Sequence, residues 1–168
     1  MKIEGIGRLI NRLEKVESSL DSQNKLFLTR LAGMGIDTAR VAFGTAQYDG
    51  NNDVVVHTPE WAGESTIIIR ATGKSVTFIE FGTGVTNFAQ HPMAIKMGAY
   101  RGLYGAQKGS NPKGWSYYGV AGTNGELVRA SPEGNVYRTH GNPPARAMYL
   151  ADKEIRNNIV SVAKEIFT

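Results

Sequence analysis

The stretch Ser65-Thr-Ile-Ile-Ile-Arg-Ala-Thr-Gly-Lys-Ser-Val-Thr-Phe-Ile-Glu-Phe81 decides the reading of this chain. Ser65–Ala71 is rich in β-branched residues, with Ile67, Ile68 and Ile69 at its centre, and reads as a strand. Thr72-Gly73-Lys74 has the length of a hairpin connection. Ser75–Phe81 then predicts a further strand, with Val76, Phe78 and Glu80 on one face and Thr77, Ile79 and Phe81 on the other. Upstream, the polar run Tyr48–Asp53 is turn chemistry, Val54-Val55-Val56 begins a strand, and Pro59 and Gly63 bracket a loop. The whole predicts a meander of antiparallel strands.

Helical patterns flank this meander. Ile3, Ile6, Leu9, Ile10, Leu13, Val16 and Leu20 recur every three or four residues, the spacing of one helix face. Ser18-Ser19-Leu20-Asp21 reads either as a cap restarting the helix or as a polar stretch within one long helix, with a slight preference for a break. Leu28 and Leu31 continue the stripe, Gly33-Met34-Gly35 predicts a helix stop, and Asp37 predicts the cap of a further short helix to Ala46. At the other end Pro143 and Pro144 suit a helix start, and Met148, Ala151, Ile155, Ile159, Val162 and Ile166 form a long apolar face. Helices, then strands, then a helix predict an α+β fold: N-terminal helices, an antiparallel sheet with an inserted β-hairpin extension, and a long C-terminal helix packed on the sheet. The expectation is a single domain over 1–168, with an embedded extension at about 84–141.

Gly82–Gly141 differs in composition from the rest. It holds twelve of the twenty glycines and seven of the fifteen aromatics. Its six basic residues, Lys96, Arg101, Lys108, Lys113, Arg129 and Arg138, outnumber Glu126 and Glu133 by four, which equals the net charge of the chain, +4. Trp115–Val120, Glu126–Ala130 and Val136–Thr139 read as strands separated by turns, and Pro92–Tyr104 as partly helical or mobile. Cations interleaved with Tyr and Trp suit a protein interface, a nucleic-acid groove, or simply a decorated surface around Trp115. A net charge this small does not suggest a tail-type nucleic-acid binder. The absence of cysteine excludes disulfides, thiolate metal sites and cysteine nucleophiles. The N-terminal residues do not read as a signal peptide, and no apolar run has the length of a membrane span, so the expectation is a protein retained in the cell that makes it.

Catalytic chemistry is hard to assemble. His57, His91 and His140 lack partners at metal-ligand spacing and read as surface or structural histidines. Asp49 and Asp53 do not match a calcium loop, and Gly82-Thr83-Gly84 lacks the Gly-Lys-Ser/Thr that completes a phosphate loop. Glu80 is open to three readings: a buried general acid, a solvent-facing strand end, or an acceptor for backbone N–H groups of the following turn. The expectation is no enzyme, no cofactor and no metal.

Two segments carry a family resemblance: Phe78-Ile79-Glu80-Phe81-Gly82-Thr83-Gly84, and Gly141-Asn142-Pro143-Pro144-Ala145-Arg146-Ala147-Met148-Tyr149 ahead of the last helix. Together they resemble the tail-completion (head–tail joining, minor tail) proteins of long-tailed bacteriophages. The likeness extends to the N-terminal helices and to the strand Trp115-Ser116-Tyr117-Tyr118. The chain departs where Ala147-Met148 stands for a frequent Pro-Phe pair, and where Asp49-Gly50-Asn51 replaces an Asp-Thr-Gly turn. The resemblance implies a structural virion protein at the neck, assembled in the host bacterial cytoplasm. It implies self-association into a ring, commonly a hexamer, between head-side connector or adaptor proteins and the tail tube or tail terminator, with DNA passing through unbound. No membrane partner is implied. Gly82 and Gly84 would turn the backbone sharply, Glu80 would bond turn amides or a neighbouring subunit, and Pro143 and Pro144 would fix the start of the last helix. The extension would dock partners through Arg101, Tyr104, Lys108, Lys113, Trp115, Tyr117, Arg129 and Arg138, with Thr83 completing the interface set. The alternative reading is a sequence-nonspecific nucleic-acid-binding protein that uses the same basic, aromatic extension.

Overall fold

The computed structural model describes residues 6–48, 51–83, 91–97, 114–121 and 125–168. Its elements are α1 (Ile6–Gly44), β1 (Val55–Val56), β2 (Glu60–Trp61), β3 (Ile67–Ile68), β4 (Ala71–Thr72), α2 (Val76–Phe81), β5 (Trp115–Tyr118), β6 (Glu126–Arg129), β7 (Val136–Thr139) and α3 (Ala147–Phe167). This is an α+β arrangement, as the order of sequence patterns predicts.

α1 is one helix of 39 residues, not two or three. Ser18 starts no new helix: its carbonyl accepts a bond from the Ser22 hydroxyl one turn on, at 2.9 Å. Gly33-Met34-Gly35 does not stop the helix either. α3 lies against this part of α1, and a Cβ at Gly35 would stand 2.6 Å from Ile155 Cδ1 and 3.0 Å from Ile69 Cδ1. Gly35 is thus a close-packing site, where tertiary contact outweighs the helix-breaking tendency of glycine. Asp37, expected as a cap, is an exposed interior position one turn from Arg40. The true end of α1 is held by Asn52, whose Nδ2 donates to the Phe43 carbonyl at 2.8 Å.

The first hairpin is present. β1 pairs antiparallel with β4 (Val55 with Thr72, Val56 with Ala71), and β2 with β3 (Glu60 with Ile68, Trp61 with Ile67). These are two stretches of one hairpin. The ladder continues through His57 N–H to the Arg70 carbonyl at 2.9 Å and lapses at Pro59, which has no N–H to give.

The strand expected at Ser75–Phe81 is the helix α2. Both Asp53 carboxylate oxygens accept backbone N–H groups, from Lys74 at 2.8 Å and Ser75 at 2.9 Å, and Ser75 Oγ donates to the Asn51 carbonyl at 3.0 Å. That clamp turns the chain at Gly73–Ser75. The helical turn then aligns Val76, Ile79 and Glu80, which a strand would divide between two faces. Ile79 is 1% exposed and joins Ile36, Ala39, Phe43, Val56, Ala147 and Ala151 in the core. The core thus draws on α1, β1, α2 and α3, with Ile69 and Ala71 of the hairpin packed against it.

The insertion forms a three-stranded antiparallel sheet of order β5-β7-β6. β6 and β7 make a hairpin closed by Ser131 and Gly134, and β5 adds to the far side of β7. α3 begins at Ala147, so Pro143 and Pro144 precede the helix and do not form its first turn. Among the described residues no helix is long and apolar enough to cross a membrane.

Two expected outcomes follow from these contacts. Gly33, with nothing within 4 Å of a built Cβ, is expected to gain about 1 kcal/mol of stability on Gly33→Ala, whereas Gly35→Leu overpacks the α1–α3 contact and loses about 2 kcal/mol. Urea midpoints of the two variants check this, and equal shifts would remove the packing role of Gly35. The second concerns Asp53, whose pKa is held below its ordinary value of 3.8, first by the Lys74 N–H and then by Ser75. A lowered folded value means the stabilisation exists above the ordinary carboxylate range and is lost as pH falls through that lowered value. Asp53→Asn should therefore be less stable than the parent at neutral pH, and the gap should close in acid. Parallel pH–stability curves would contradict the clamp.

Candidate functional site

The two resemblance-bearing segments meet in space. The Ala145 N–H donates to the Ile79 carbonyl at 2.8 Å and the Arg146 N–H to the Glu80 carbonyl at 3.1 Å. The Thr83 N–H donates to the Asn142 carbonyl at 2.9 Å, and the Asn142 N–H returns a bond to Thr83 Oγ1 at 2.9 Å. The end of α2 and the approach to α3 are therefore zipped together over four bonds.

Glu80 completes the joint. Its Oε2 accepts the Met148 N–H at 2.9 Å, and its Oε1 accepts the Tyr149 N–H at 3.1 Å and His91 Nε2 at 3.0 Å. Met148 and Tyr149 are the second and third residues of α3, whose first-turn N–H groups have no partner within the helix. Arg146, at the cap position, makes no side-chain cap bond. A carboxylate brought from α2 supplies both the missing acceptors and the negative charge that a helix N-terminus favours. Glu80 is 6% exposed. Of the readings open at Glu80, the structure realises an acceptor of backbone N–H groups, but those of α3 and not those of its own turn.

His91 is a structural histidine, one of the two roles the sequence leaves open for it. It is 4% exposed, its ring lies against Phe81 at 4.5 Å between centroids, and Tyr149 meets it edge-on at 5.8 Å. Its Nδ1 accepts the Met93 N–H at 3.1 Å. That bond places the lone pair on Nδ1 and the proton on Nε2, so the hydrogen-bond pattern assigns a neutral ring donating to Glu80. Both ring nitrogens are occupied in holding the joint. Nothing local around His91 signals this role, because its acceptor is eleven residues away and on another element.

Gly82 sits at φ 76° and ψ 174°, a region essentially reserved for glycine. A Cβ there would meet the Asn142 carbonyl oxygen at 2.7 Å and Pro144 N at 2.8 Å, both backbone atoms that cannot yield. Arg146 adopts the left-handed conformation, at φ 56° and ψ 31°. The bonds of Ala145 and Arg146 to α2 hold it there, and its Nε is buried without a partner.

The other expected site residues are dispersed. Glu80, Gly82 and Thr83 are buried inside the chain's own joint, not set out on a surface. Gly84, Arg101, Tyr104, Lys108 and Lys113 lie outside the described residues. Pro143 is exposed and Pro144 half-buried in the approach to α3. On the three-stranded sheet the register separates two chemistries. Trp115, Tyr117, Tyr137, Leu127 and Thr139 share one face, with Tyr117 and Tyr137 rings 5.9 Å apart. Arg138 lies on the other, between Ser116 and Glu126, and the irregular pairing at Leu127–Arg129 brings Arg129 opposite Val136. Arg129 donates to the Tyr118 hydroxyl at 2.9 Å. The Trp115, Tyr117 and Tyr137 face is thus free of these cations, while Tyr118 shares the other face with Arg129 and Arg138.

Beside the joint, an open cavity of about 560 Å³ is lined by Glu80, Phe81, His91, Met93, Met97 and Tyr149 among others. Among the described residues no group of three or more His, Asp or Glu is placed to hold a metal ion. No known protein family, curated protein or solved structure matches the chain.

Removing the joint's central acceptor should be costly. Glu80→Ala strands two helix N–H groups and the His91 Nε2–H in a buried place, and is expected to lose about 3 kcal/mol. Gly82→Ala should lose a comparable amount, about 3 kcal/mol, through strain and backbone collision. Denaturant midpoints read both, and a Glu80→Ala protein as stable as the parent would refute the capping role.

Proposed function

We propose that this chain is a structural subunit of the neck of a long-tailed phage, completing the tail and joining it to the head connector as a ring, without catalysis. The observation that carries the reading is the bonded joint. The two segments that resemble the tail-completion proteins are remote in sequence, yet they are the two halves of one buried unit, zipped by Thr83–Asn142 and capped by Glu80. Two segments bonded to each other in this way serve a fixed shape, which suits a structural subunit. Glu80 and His91 are the pair best suited to acid–base chemistry, and their bonds are spent on the α3 amides, on each other and on Met93. In this reading the ring partners are further copies of the chain, with head-side connector proteins above and the tail tube or terminator below. DNA passes through the lumen, and the protein resides in the virion.

The joint also gives the inserted sheet a firm base. β7 runs directly into Gly141 and Asn142, where Thr139 Oγ1 accepts the Gly141 N–H at 3.0 Å and Asn142 is locked to Thr83. A sheet rooted in this way suits a docking element that must keep its orientation as a large assembly closes around it.

The test is electron microscopy of a phage lysate with this gene inactivated. Filled heads lying beside separate tails are the expected result, and deletion of residues 98–113 should reproduce it with a protein that still folds. Intact, infectious particles from the inactivated gene would end the neck assignment.

A further inference from the structure

α1 is much longer than the helix it packs against. α3 runs antiparallel along it and ends where Phe167 meets Phe27, with ring centroids 5.7 Å apart, and where Gln23 Nε2 donates to the Ile166 carbonyl at 3.0 Å. Residues 6–22 continue beyond that point as helix, a projection of about 25 Å.

The projection is not polar all round. Ile6, Leu13 and Leu20 form a row at seven-residue steps, Leu9 and Val16 a second row, and Ile10 lies beside them. These are the a and d positions of a heptad pattern, with Ile10 at e. All six are between 48% and 60% exposed, so nothing in the described structure covers them. The rows also have continuations. The next member of the first row is Phe27 and of the second Gln23, the two residues that α3 already covers. The open stripe is thus the unoccupied extension of an existing helix–helix seam.

Charge selects the occupant. In this heptad frame Arg12 falls at g and Glu17 at the following e, and both are exposed. In a parallel, in-register pair of identical helices, g of one chain faces the next e of the other. Arg12 of each copy would then meet Glu17 of the other, twice by symmetry. In an antiparallel pair e flanks e and g flanks g, which sets Glu17 against apolar Ile10 and leaves Arg12 without an acid. The rest of α1 also favours assembly. A free segment of this length is a marginal helix in water, but here it grows from a helix already formed by packing on α3, so the nucleation cost is met.

We propose that residues 6–20 of α1 form a parallel, in-register two-helix contact with the same segment of a second copy of this chain, sealed by Arg12–Glu17 pairs, the two bodies diverging where each α3 ends. The contact is closed and two-fold, unlike the head-to-tail contact of a ring, and it stands or falls independently of the neck assignment.

The chain has no cysteine, so single cysteines can report the geometry in the full-length protein. A parallel in-register pair brings position 20 of one copy against position 20 of the other. Leu20→Cys should therefore oxidise to a disulfide-linked dimer, while Asn11→Cys on the opposite face stays monomeric. An antiparallel pair would put Leu20 against Leu9 of the other copy and hold the two position-20 sulfurs about 16 Å apart, too far to bridge. Sedimentation equilibrium gives the second readout. Arg12→Glu should weaken the dimer about tenfold, and Arg12→Glu with Glu17→Arg should restore it. Because the substituted side chains are exposed, unchanged helical circular dichroism is expected and verifies the fold of each variant. Folded Leu20→Cys that stays monomeric under oxidation, cross-linking only between mixed Leu9→Cys and Leu20→Cys chains, or no rescue by the charge swap would each overturn the proposal. Those results would leave the stripe to an antiparallel copy or to a different protein.

Discussion

The buried carboxylate of Glu80 ties α2 to the start of α3 by accepting the Met148 and Tyr149 N–H groups. A helix N-terminus presents N–H groups that must find acceptors, and a buried carboxylate must find donors. Here each need answers the other across 68 residues of chain, from α2 to the Met148 N–H of α3. His91 adds a third donor and is itself oriented by Met93. Long-range polar contacts of this kind specify geometry strongly, because each partner left alone would be a buried unsatisfied group. Gly82 is part of the same requirement, since only a residue without Cβ lets the two backbones close.

With the joint fixed, the insertion between its halves can be long without loosening the core. Loop length costs closure entropy only slowly, so Gly84 to His140 is tolerated provided both ends are anchored. The anchor at the β7 end is Thr139 to Gly141 and Asn142. The sheet then offers two chemically distinct faces, one carrying Trp115, Tyr117 and Tyr137 and the other Arg138 with the Arg129–Tyr118 pair. If the sheet docks a partner, this matters more than total charge, because specificity comes from which face meets which neighbour.

α1 divides in the same spirit. Its C-terminal half supplies Leu31, Ala32, Gly35, Ile36, Ala39 and Phe43 to the interior. Its N-terminal half carries an apolar stripe of equal regularity on which none of the described residues packs. One helix therefore both builds the core and projects a surface that a second chain is suited to complete.

How much of this was legible in the chain depends on the range of the deciding interaction. The amphipathic patterns of α1 and α3, the hairpin around Gly63, the strands of the insertion and the α+β order all follow from local periodicity, which is written in neighbouring residues. The two motif segments of the joint were legible as segments. The role of Glu80 was not, because its acceptors' partners are supplied by a helix far along the chain, and His91 carried no local sign of burial. Val76–Phe81 reads as a strand by composition and is a helix because Asp53 clamps its start and the core requires Val76 and Ile79 on one side. Gly33-Met34-Gly35 reads as a helix end, yet α1 runs through it because Ile155 of α3 needs the space above Gly35. Wherever burial repeats with a regular period, the order of residues alone tells helical segments from extended ones. Short segments and glycines take their conformation from long-range packing, since there the local preference is worth about 1 kcal/mol and a packed neighbour or a buried hydrogen bond is worth more.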